Sequence, residues 1–245
     1  MNESSKSIIT LGSIQDDNLK TSYTNEKKAF SLILDILKYS YSSILLVFAI
    51  VIVHASIFTN QTVGVKENGI PAIAAFFIIW FLIVWLAVME GGQGVLVGLQ
   101  HVSPSNYADS HPFTLKNTKL AHKGDNMGRF IVGRQFLTFL VIFLTNLMGS
   151  ASAGAKVLGL PQILNDIFLT NGVAMILFVV SLGQLTSQVN AAKHMCDFIN
   201  NRFMLYGVTY VALAIEASGL LHFVYLVQEL FLKITGQSIE SKEVR

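Results

Sequence analysis

Five stretches of the chain stay apolar for long runs, and polar residues break into them at only a few places. They cover residues 42–58, 70–89, 130–148, 167–189 and 207–232. A helix needs about 20 apolar residues to cross a hydrocarbon core. None of the stretches alternates with period two, which argues against a β-barrel, and in lipid that leaves helices. The pattern predicts an all-α, polytopic integral membrane protein with five transmembrane helices. The second stretch has no clean end, because apolar sequence resumes at Val95, Leu96, Val97 and Leu99. One straight helix over 70–99 would reach about 45 Å against a core of about 30 Å. Two readings are open. Either the helix ends in the ordinary way with Glu90 among headgroups, or it breaks near Gly91-Gly92 and leaves Glu90 and Gln93 beside freed backbone groups. The break is the preferred expectation, since glycine supports irregular backbone and transporters build sites from discontinuous helices.

Residues 1–40 are polar and mixed in charge, with no apolar run beside Met1. They are expected to form a disordered cytoplasmic tail, with the first span an uncleaved anchor. The transmembrane domain then covers 41–233, and 234–245 is a short polar tail.

Composition strengthens the membrane reading. Hydrophobic residues make up 52% and charged residues 13% of the chain, where soluble domains carry roughly 25% charged. The net charge of +2 is too small to imply a nucleic-acid partner. Position says more than the sum. Twelve of the 17 Lys and Arg fall in the N-terminal tail, around the second loop (Lys116 to Arg134) and in the fourth loop (Lys193, Arg202). The positive-inside rule places those segments, and the N-terminus, in the cytoplasm; five spans then put the C-terminus outside. Asn60-Gln61-Thr62 is a glycosylation sequon on the outer side, very close to the membrane. Cys196 is the only cysteine, so there is no intrachain disulfide and no CxxC motif.

Ionisable residues inside spans are costly and tend to mark pathways. The first polar cluster is Glu90-Gly91-Gly92-Gln93. The second is Gly133-Arg134-Gln135, whose arginine either snorkels to the surface or pairs inside with Glu90. The third, 181–190, carries Gln184 and Gln188 four apart on one helix face; amides there serve a solute or join helices. The fourth is Glu216, near the middle of the last stretch with no cation close in sequence. His54 and His222 read as hydrogen-bonded packing residues. His101, His111 and His122 lack metal-ligand spacing, and their loop, like 190–201, reads as solvated. There is no GxSxG, HExxH or Walker motif, so no enzymatic activity is expected and no firm metal site.

These motifs resemble the silicon transporters. The EGxQ run Glu90-Gly91-Gly92-Gln93, followed by Gly133-Arg134-Gln135, is similar to that family's paired EGxQ and GRQ motifs. The runs 182–191, 197–201 and 211–216, with Ser218-Gly219 and His222, resemble it too, and the likeness covers about 70–228. The resemblance implies transport of silicic acid, often coupled to sodium, across a plasma or vesicle membrane. Full-length members look like two five-span halves, and this chain is similar to half-length, silicon-transporter-like proteins. Silicic acid is neutral near about pH 8 and its hydroxyls both donate and accept hydrogen bonds. On that resemblance Gln93, Gln135, Gln184 and Gln188 would meet the hydroxyls, Arg134 would hold Glu90, and Glu90 or Glu216 would neutralise sodium, the one coupling ion implied. A passive channel or exporter, or a non-transporting membrane subunit, are the alternatives. Five is odd, so duplicating the unit inverts its second half; a single unit needs another copy, and the charge bias makes that a parallel homo-oligomer.

Overall fold

A computed structural model describes the backbone of residues 3–235 and the side chains of residues 27–28 and 30–235. The chain divides into two compact units, Met1–Phe48 and Ala49–Arg245. The first helix, α1 (Glu3–Phe58), contains the whole of the first unit that is described. The polar stretch expected to be disordered thus has helical backbone. It contains no proline and a single glycine, Gly12, so nothing in it breaks a helix. Within that unit Lys38 lies 3.7 Å from Asp35, an exposed pair of small energetic weight.

In the second unit the order is α2 (Ala72–Gly98), α3 (Pro112–Ala121), α4 (Asn126–Gly149), α5 (Val173–Lys193), α6 (Phe203–Ala217) and α7 (Phe223–Thr235). Four helices are long and apolar enough to cross a membrane: 30–58, α2, α4 and α5. No strand occurs among the described residues, and the all-α polytopic expectation holds. Helix α2 lies between α4 and α5, and α4 carries α6 on its other side. Their shared core holds Ile79, Leu86, Met89, Phe130, Phe178 and Met204, all fully enclosed. His54 joins the end of α1 to α2 as a packing residue. Its Nδ1 donates to the Ile50 carbonyl at 2.7 Å and its Nε2 accepts from the Trp80 indole at 3.0 Å, which one neutral tautomer satisfies.

Two expectations change. Helix α2 does not break at Gly91-Gly92: it runs unbroken to Gly98, and neither glycine takes a positive φ. Its 27 residues make about 40 Å, so the helix outruns the hydrocarbon core. The last apolar stretch is two helices. α6 ends at Ala217, Gly219 turns the chain at φ +84°, and α7 begins at Phe223. The 13-residue α7 measures about 20 Å and cannot span alone. The loops around α3 and 195–201 stay largely exposed, as expected, but are also tied to one another. Phe113 N–H donates to Asn200 Oδ1, Thr114 to the Cys196 carbonyl, Asn117 to the Ile199 carbonyl, and His111 meets Asp197 at 3.0 Å. The sequon is also built in: Gln61 exchanges hydrogen bonds with Lys156, and Thr62 is fully enclosed.

Three π-helical turns occur among the described residues, Asp166–Thr170, Val179–Leu185 and Phe203–Thr209. Such turns are rare and gather at functional sites. Threonine hydroxyls add a second donor at these turns: Thr186 donates to Ser181 O at 2.7 Å, beside its own backbone N–H, and Thr209 donates to Met204 O at 3.1 Å.

Candidate functional site

Helices α2, α4 and α5 bring a charged cluster together between apolar neighbours. Arg134 Nη1 donates to Glu90 Oε1 at 2.9 Å and to Thr138 Oγ1 at 3.2 Å, and Nη2 donates to Gln135 Oε1 at 2.7 Å. Gln188 Nε2 reaches the other Glu90 oxygen at 3.2 Å. The Arg134 side chain is only 5% exposed, and its Nε–H meets no acceptor among the described residues. Isolated, so enclosed a guanidinium would be prohibitive; the carboxylate 2.9 Å away makes it tolerable. Snorkelling is therefore replaced by pairing: the helical ladder of α4 turns residues 134 and 138 inward, one turn apart.

A small cleft of about 120 Å³ opens beside this cluster, lined by Glu90, Gly94, Gln188, Ala191 and Met195 among others. A water needs roughly 10–15 Å³ of such space, so several fit, or one small solute. Gln93 sits half-buried one turn from the cleft and makes no hydrogen bond among the described residues. Gln184 stands apart from this cluster. It lines a separate cleft between α4 and α5, so the two amides expected to share one site belong to neighbouring spaces.

Glu216 has the partner that the sequence concealed. Arg129 Nε donates to its Oε2 at 2.6 Å, and the Tyr225 hydroxyl donates to its Oε1 at 3.2 Å. The carboxylate is 4% exposed, at the end of α6 beside the turn into α7. It thus closes a joint between α4, α6 and α7, away from Glu90. Arg129 falls among the basic residues of the expected cytoplasmic loop, and nothing in a linear sequence links it to a residue so distant. Thr138 was missed as well, though its place four residues after Arg134 marked it. Arg129→Ala should lower stability by about 2 kcal/mol, with Tyr225→Phe costing nearer 1 kcal/mol. Thermal unfolding in detergent reads both; equal, negligible shifts would mean that the joint does not hold α7.

The motif glycines are contact points. A Cβ on Gly91 would strike the Phe198 ring, one on Gly92 the Met204 side chain, and one on Gly133 the carbonyl of Ala212. Glycine's small size is what α2 and α4 use here, to let α6 and the segment before it approach closely. The Cys196 thiol is pushed up from its usual range by burial, then by the Asp197 carboxylate, so it is a poor nucleophile at neutral pH.

A family model described as Silicon transporter matches residues 30–245. No curated protein and no solved structure matches the chain.

Proposed function

The chain belongs to the silicon transporter family, and on that premise we propose that it carries silicic acid across a membrane through the cleft beside Glu90. The observation that supports this reading best is the enclosed Arg134. Its Nη1 holds Glu90 and its Nη2 holds Gln135, so the carboxylate is fixed where it lines the cleft with Gln188, and Gln93 lies one turn from Glu90. A neutral solute whose hydroxyls both donate and accept suits amides beside an already paired carboxylate better than an ion does. Gln135, exposed and bonded to Arg134, orients the guanidinium from the other side. Sodium coupling fits Glu90 better than Glu216. The Glu90 side chain is 12% exposed and its Oε2 faces the cleft, whereas Glu216 is sealed by Arg129 and Tyr225. A passive path is the competing reading, favoured by the arginine that already neutralises each carboxylate.

Cells expressing the chain are expected to accumulate radiolabelled germanic acid, a silicic acid analogue, and to stop when choline replaces sodium. Simple equilibration in choline would mean a passive channel. Absence of uptake with the protein at the surface would mean a non-transporting subunit. We further propose a plasma or vesicle membrane, a cytoplasmic N-terminus, and a parallel homo-oligomer in which a second copy completes the path.

A further inference from the structure

Contacts at the two ends of the helices fix which loops share a face. Gly183 lies against Leu86 and Ala191 against Gly91, so α2 and α5 run in the same direction. Arg134 reaches Glu90 while Gly149 meets Ile79, so α4 runs against them. At one end Val63 N–H donates to Ser150 O and Gln61 to Lys156 O. At the other, Thr114 donates to Cys196 O and Asn117 to Ile199 O. The chain therefore comes out of α5 on the face that carries residues 99–125.

It does not leave that face again. Helix α6 sets Met204 against Gly92 near the end of α2, Thr209 on Asn117 Oδ1 at 2.9 Å, and Ala212 and Glu216 on Gly133 and Arg129 near the start of α4. Its deepest anchor is the Gly207 carbonyl, which accepts from Trp85 Nε1 at 3.0 Å, about halfway along α2. At about 22 Å, α6 is too short for a core of about 30 Å, and it ends where α4 begins. Helix α7 thus starts at the depth of Arg129, where the apolar sequence of α4 gives way to charge. No residue of α7 is buried. At about 3.6 residues per turn, the exposed Phe223, Leu226, Val227, Leu230, Phe231 and Ile234 fall on one side, and Tyr225, Gln228, Glu229 and Lys233 on the other.

Three courses are open to such a helix. Continuing across the membrane would take Glu229 and Lys233 into the hydrocarbon, where ionisable groups are costly, and about 20 Å would not complete the crossing. Turning away into water would leave the whole apolar side bare. Lying in the plane of the interface satisfies both sides at once. We propose that α7 is an interfacial helix, with its apolar side in the acyl boundary of the leaflet that receives the start of α4 and its polar side among the headgroups. The occupant of the apolar side is lipid rather than a second copy, because Glu216 and Tyr225 hold the start of α7 at the height where acyl chains meet headgroups. The last apolar stretch then adds no crossing, and the C-terminus belongs to the face of residues 99–125. The inference needs the membrane reading alone and stands whether or not the chain carries silicic acid.

The test uses the full chain in liposomes, with Cys196→Ser as background and a fluorophore on either Phe231→Cys or Gln228→Cys. The label at 231 is expected to be shielded from aqueous iodide and quenched by lipids brominated close to their carbonyls. The label at 228 should show the reverse. Quenching of both labels by lipids brominated at the chain ends would mean that the stretch crosses, and equal iodide quenching of both that α7 hangs in water; either result overturns the proposal. Protection at 231 that fades as the protein is diluted into more lipid would overturn it in favour of a second copy. Tags on the two termini of the otherwise unaltered chain give an independent reading if a cysteine variant fails to fold. Antibody access to both tags from the same face is expected, since the four long helices 30–58, α2, α4 and α5 make an even number of crossings. Access from opposite faces would overturn the proposal.

Discussion

Arg134→Leu is expected to abolish uptake and to lower stability by about 3–5 kcal/mol, because it strands the Glu90 carboxylate among apolar helices. The guanidinium makes hydrogen bonds to Glu90, Gln135 and Thr138, and is nearly sealed from solvent. A chain of this size should lose roughly 10 °C in its melting midpoint for such a change. The informative partner is the double variant Glu90→Leu, Arg134→Leu. Replacing a buried ion pair by apolar residues of similar volume is often close to neutral, so much of the stability should return. Transport should not return, since the solute and any coupling ion have lost the groups they meet. This split separates a site from helix glue. If the stable double variant transports at the wild-type rate, the pair is structural and the proposal for the Glu90 cleft fails.

How much of this was legible in the sequence depends on which interaction carried each feature. Long apolar runs are a local signal, and four of the five stretches contain helices long enough to span. The Glu90–Arg134 pair was legible from energetics: two opposite charges placed in apolar segments need each other, whatever their separation along the chain. Glu216 has the same need, but its partner Arg129 sits at the first turn of α4 and was counted with the loop basic residues. The break after Ala217 was concealed for another reason. Residues around it remain apolar, and hydropathy does not register a left-handed glycine at 219 or a hydroxyl at Ser218 turned back onto Ile215 O. The division of Gln184 from Gln188 escaped because the ordinary four-residue spacing assumes an α-helix, while Gln184 lies in the π turn 179–185.

Glycine illustrates the limit most directly. At Gly91-Gly92 the sequence permits either a broken helix or a close contact, and the choice belongs to Phe198 and Met204, about a hundred residues further along. Gly133 tests the contact reading with the least ambiguity. A Cβ there would overlap the Ala212 carbonyl oxygen and stand 2.7 Å from its carbon, both backbone atoms that no rotamer change can move. Helices α4 and α6 would have to part, at the very pair of helices that the Arg129–Glu216 bond joins and next to Arg134 itself. Gly133→Ala should therefore cost about 3 kcal/mol, at the upper end of overpacking, and should lower uptake through displacement of Arg134. Gly128→Ala, five residues earlier on the same helix, meets nothing within 4 Å and should stabilise by about 0.5–1 kcal/mol, with uptake unchanged. Thermal unfolding of the two variants side by side decides the matter. Equal midpoints would mean that α4 and α6 do not approach through Gly133. A large gap would make the glycine of the GRQ run the reason its arginine faces Glu90.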